Sequence, residues 1–85
     1  MFAIYTKNIG GRINNRYFNS HENAKRELLK DVEDLKNDCG GAILRKIDRM
    51  NTSKGFYEFE YKMVLENGEM ATLAIVDGYF EDGGN

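Results

Sequence analysis

Proline and tryptophan are absent from this 85-residue chain, and cysteine and histidine occur once each, as Cys39 and His21. A single cysteine excludes an intramolecular disulfide and supplies too few thiolates for a structural zinc site, which leaves a reduced, semi-buried thiol. Long apolar runs are missing too. The longest nearly apolar stretch, Met70 to Val76, falls far short of the roughly 20 residues that cross a bilayer. Thr6, Lys7 and Asn8 interrupt the N-terminus too early for the apolar stretch of about 7 to 15 residues in a secretory signal. These absences predict a cytoplasmic protein that does not enter a membrane. Without a Pro/Ser-rich linker or an internal repeat, the chain reads as one domain over residues 1–80 with a polar Glu81–Asn85 tail.

Catalytic and cofactor motifs are equally scarce. His21 and Cys39 fall at opposite ends of one expected helix, about 27 Å apart at 1.5 Å per residue, so they form no Cys-His dyad. Cys39 would also sit at the negative helix end, which disfavours a thiolate. Gly10-Gly11-Arg12 has neither the Lys-Ser/Thr pair of a P-loop nor the three glycines of a dinucleotide fingerprint, and reads as a turn. No metal, cofactor or enzymatic activity is expected.

What is present suits a small folded domain, since 41% of residues are hydrophobic and ten are Tyr or Phe. Phe2 to Thr6 reads as a strand, and the turn-prone Asn8-Ile9-Gly10-Gly11 leads into Ile13 to Phe18. Ser20 offers an N-cap, and Ala24, Leu28, Val32 and Leu35 recur at helical spacing over residues 21–38. Cys39-Gly40-Gly41 ends that helix. Three strands follow: Ala42 to Met50, then Phe56 to Glu66 after the Asn51–Gly55 loop, then Met70 to Phe80 after Asn67-Gly68. The expected fold class is α+β: one helix on an antiparallel sheet, in the order β(β)αβββ with a C-terminal three-stranded meander.

A two-residue Asn67-Gly68 turn pairs Glu66 with Glu69. That register sets Tyr57, Phe59, Tyr61, Met63 and Leu65 beside Gly78, Val76, Ala74, Thr72 and Met70 on the face the helix covers. It also sets Glu58 opposite Asp77 on the other face, near Glu60, Ile75 and Leu73, with Asp48 as a third carboxylate in one register of its strand. A helix on a three-stranded meander is similar to the double-stranded-RNA-binding domain, but that family's second helix and basic helix start have no counterpart after Gly78, and no family is assigned.

Charge is distributed unevenly. Residues 1–30 carry six Lys/Arg and two Glu, whereas residues 31–85 carry six Lys/Arg and twelve Asp/Glu. Glu27, Asp31, Asp34 and Asp38 lie at i, i+4, i+7 and i+11, within an arc of about 60° and along about 16 Å of helix. Their mutual repulsion, and the position of Asp34 and Asp38 near the negative helix end, cost about 0.3 to 1 kcal/mol each. The ridge therefore points to a binding role. With Glu58, Glu60 and Asp77 it forms the candidate docking surface for a basic protein, such as a nucleic-acid-handling enzyme. The expected function is that of a small inhibitor or adaptor; a small acidic domain without catalytic motifs also has the general profile of phage-type proteins that block host defence or replication machinery. The alternative is direct nucleic-acid binding by Lys7, Arg12, Arg16 and Tyr17 of the basic first hairpin, which the pI of about 5.3 disfavours.

Overall fold

A computed structural model describes residues 2–51 and 56–78. The expected loop at 52–55, the tail, and the side chains of Tyr57 and Asp77 lie outside the described residues. The order is β1 (Phe2–Ile9), β2 (Arg12–Phe18), α1 (His21–Cys39), β3 (Ala42–Asn51), β4 (Phe56–Val64) and β5 (Met70–Gly78). The strands form one antiparallel sheet in the order β2-β1-β5-β4-β3, with α1 on one face. The fold is α+β with a C-terminal meander, and β1 joins the first hairpin to the meander by pairing with β5.

Helix α1 begins where Ser20 Oγ accepts the Asn23 N–H at 3.1 Å, and ends where Gly40 adopts φ +60°. That left-handed cap is nearly free of steric cost only for glycine. The four periodic residues Ala24, Leu28, Val32 and Leu35 are all buried. They meet a sheet face built from Ala3 and Tyr5 of β1, Ala71, Leu73 and Ile75 of β5, and Phe59, Tyr61 and Met63 of β4. Burial of each large side chain in this set contributes about 1.5 to 3 kcal/mol.

The β4–β5 hairpin departs from the expected register by one residue. Leu65 N–H donates to Glu69 O at 2.8 Å and Gly68 N–H to Leu65 O at 2.9 Å, so the loop has three residues, Glu66-Asn67-Gly68. A two-residue type I′ turn requires positive φ at both central positions; here Gly68 alone is positive, at +89°, and the Asn67 side chain instead accepts the Glu69 N–H. Because strand side chains alternate, a one-residue slip exchanges the faces of β5. Leu73, Ile75 and Ala71 are under the helix, while Met70, Thr72, Ala74 and Val76 are on the open side. Burial favours this register, since Leu and Ile bring more apolar surface to the core than Thr and Ala do. Glu58 accordingly pairs with Val76, not Asp77, and Asp77 pairs in register with Ala3 of β1.

Candidate functional site

The basic first hairpin and the acidic helix ridge are placed against one another. Residues 5, 7, 12 and 16 share the helix-facing side of β1 and β2. From there the Tyr5 hydroxyl donates to Asp31 Oδ2 at 2.7 Å, Lys7 Nζ lies 3.3 Å from the same oxygen, and Arg16 donates to Glu27 at 3.1 Å. Arg12 meets Glu69 at 3.4 Å, and with Asn67 it holds the Glu69 carboxyl below its ordinary pKa. Burial first, and then donation to Asp31, push the Tyr5 hydroxyl far above the ordinary phenol range. The local repulsion along the ridge is thus offset by tertiary partners at Glu27 and Asp31.

These pairings divide the expected sites. Glu27 and Asp31 hold the helix to the first hairpin, whereas Asp34 and Asp38 are exposed. Glu58 and Glu60 lie on the open sheet face, where Arg49 donates to Glu58 at 3.0 Å and Arg45 to Glu60 at 3.5 Å. Asp48 does not join them: it faces the helix side, 3.8 Å from Lys25 Nζ, which also lies 4.7 Å above the Phe59 ring. Leu73 and Ile75 are core residues rather than members of an exposed face. The nucleic-acid set does not form one surface either. Lys7, Arg12 and Arg16 are ion-paired on the helix side, while Tyr17, 69% exposed, belongs to the opposite face.

Among the described residues, the carboxylates outside any ion pair are Glu22 at the start of α1 and Asp34, Asp38 and Glu66 at its other end. Gly40 joins the end of α1, which carries Asp34 and Asp38 one turn apart, closely to Glu66 of the β4–β5 hairpin. A Cβ on Gly40 would lie 2.9 Å from Glu66 Cβ, and Glu66 N–H donates to Cys39 O at 2.9 Å. The negative end of the helix dipole adds partial negative charge at the same corner.

Beside this acidic corner is a cleft of about 500 Å³. Ile9, Leu35, Cys39 and Leu65 give it an apolar lining, and Arg12, Glu66, Asn67 and Glu69 complete it with polar groups. It has room for one or two side chains of a partner or for a small ligand. Sequence reasoning missed the parts played by Ile9, Leu65 and Glu66, which meet only because the turns at Gly10-Gly11 and Asn67-Gly68 and the cap at Gly40 come to the same end of the sheet. Among the described residues, no group of His, Cys, Asp and Glu is arranged to hold a metal ion, and no helix is long and apolar enough to cross a membrane. Comparison with models of known families, with curated proteins and with solved structures finds no match.

Proposed function

We propose that this chain is a protein-binding module, an inhibitor or adaptor, that docks the C-terminal corner of α1 onto a basic surface of a protein partner. The carrying observation is the concentration of Asp34, Asp38 and Glu66, without ion-pair partners among the described residues, beside the apolar cleft. A basic residue of the partner would meet the carboxylates while a neighbouring apolar side chain enters between Ile9, Leu35 and Leu65. Charge complementarity steers such an encounter, and apolar burial slows its dissociation. Proteins that handle nucleic acids present basic surfaces of this kind, and the reading places the chain with them in the cytoplasm, where Cys39 stays a free thiol.

Affinity capture from source-cell lysate, analysed by mass spectrometry with and without nuclease, tests the reading. A basic protein that is retained after nuclease treatment and lost with the Asp34→Lys/Asp38→Lys variant is the expected result. Capture of nucleic acid itself, abolished by Arg12→Glu/Arg16→Glu and strengthened by the helix variant, would overturn it.

A further inference from the structure

The polar groups of the cleft beside the acidic corner are not equivalent. The Asn67 side chain accepts the Glu69 N–H and donates to Glu69 Oε1, and the Glu69 carboxylate also receives the Arg12 guanidinium, so these three side chains satisfy one another. Glu66 is the lining carboxylate outside any ion pair among the described residues. The Arg12 side chain, held by Glu69, is still 70% exposed, which leaves the plane of its guanidinium accessible. Residues 52–55 join Asn51 to Phe56, and the chain continues past Gly78, at the Phe2 end of the sheet; Ile9 of the cleft lies seven residues, or about 23 Å of strand, away.

We infer, resting on the docking proposed above, that the apolar side chain entering this cleft is a tryptophan of the partner, next to the basic residue that meets Asp34 and Asp38. A purely aliphatic anchor would meet the walls but would cover Glu66 and Arg12 with hydrocarbon, and desolvating polar groups without a partner is costly. An indole meets all three kinds of lining. Its body packs against Ile9, Leu35 and Leu65, its ring N–H donates to the Glu66 carboxylate, and its face takes the Arg12 guanidinium. Phenylalanine lacks the donor, and a lysine or arginine in the same place would bring a second cation against Arg12.

Size and charge agree with this occupant. The cleft of about 500 Å³ is larger than one aliphatic side chain fills, and an aromatic residue brings about 150 to 250 Å² of surface to bury. Tryptophan is also among the residues that carry most of the energy of an interface when seated in a pocket. The free carboxylates of Asp34, Asp38 and Glu66 beside the cleft select Lys or Arg as the neighbour of the anchor, so the motif that fits is an aromatic–basic pair on one segment. These 85 residues contain no tryptophan. A second copy therefore does not supply the anchor, and the emission of an indole in the cleft reports the partner alone.

Titration of the full chain against the peptide acetyl-Lys-Trp-Lys-amide, followed by indole emission and by methyl NMR of the protein, tests the inference. The expected result is a blue-shifted emission with a dissociation constant on the order of 1 mM and ring-current shifts at the Ile9 and Leu65 methyl groups. The same peptide with leucine in place of tryptophan should bind at least about fivefold more weakly. Blocking the ring nitrogen with a methyl group, or Glu66→Ala with an unchanged circular dichroism spectrum, should weaken binding by about threefold or more, whereas Glu22→Ala at the other end of α1 should not affect it. Equal binding of the leucine and tryptophan peptides, shifts away from Ile9 and Leu65, or no binding at about 5 mM overturns the tryptophan anchor, while corner docking is judged separately by the loss of the captured partner with Asp34→Lys/Asp38→Lys. Binding in the cleft that this double variant leaves unchanged supports the anchor and counts against corner docking.

Discussion

The one-residue register of the β4–β5 hairpin decides which half of β5 is core, and a pair of substitutions reads it directly. Leu73 is fully buried beneath α1. Leu73→Ala removes three methyl(ene) carbons from a packed site and leaves a cavity, at a cost of about 2 to 5 kcal/mol. Thr72, one residue earlier, faces the open side in register with Asn8 and Lys62. Thr72→Ala therefore forfeits only strand preference, about 1 kcal/mol or less. For a chain of this size the whole stability is roughly 4 to 13 kcal/mol. With a urea slope of about 1 to 1.5 kcal/mol/M, the Leu73 variant should lose more than about 1.3 M from its midpoint, the Thr72 variant less than about 1 M. Equilibrium urea denaturation followed by circular dichroism measures both. Equal losses, or a larger loss for Thr72→Ala, would mean that the hairpin follows the two-residue turn and that the core described above is wrong.

Further consequences concern the hairpin–helix junction. Asp31→Ala leaves the buried Tyr5 hydroxyl without its acceptor and should cost about 1 to 3 kcal/mol, whereas Asp34→Ala, exposed at the next turn, should change stability by less than about 0.5 kcal/mol in the same denaturation assay. Because the pKa of Tyr5 is raised in the folded state, its contribution is fully present below the ordinary phenol pKa near 10 and is lost as pH rises beyond it; titration at 295 nm should show a tyrosine that ionises only together with alkaline unfolding. Gly40→Ala forces a side chain into the left-handed cap and against Glu66, and should cost at least about 1 to 2 kcal/mol, visible as a lowered thermal midpoint.

Helix α1 was legible because its signals are local: Ser20 and Gly40 mark its ends and one apolar stripe marks its buried side. The hairpin register was not, because Asn67-Gly68 suits both two- and three-residue loops and β5 is apolar on both faces, with Ala71, Leu73 and Ile75 alternating with Met70, Ala74 and Val76. The uneven charge was visible, but its resolution required tertiary structure. Lys7, Arg12 and Arg16 find acids 24, 57 and 11 residues away, and nothing in the spacing of Glu27 and Asp31 distinguishes them from Asp34 and Asp38. The acidic ridge therefore contracted to a corner only once the first hairpin was placed beside the helix. The cleft was out of reach for the same reason, since three separate turns build it.

The docking claim is tested most directly by association kinetics of the captured partner with wild-type chain and with Asp34→Lys/Asp38→Lys, measured across ionic strength. Attraction between the acidic corner and a basic surface is screened over about 8 to 10 Å at ordinary ionic strength. The wild-type association rate should therefore fall steeply with salt, and the variant should associate more slowly and with a flatter salt dependence. A variant that associates at the wild-type rate with the same salt dependence would contradict the account, because the partner would then be reading some other surface.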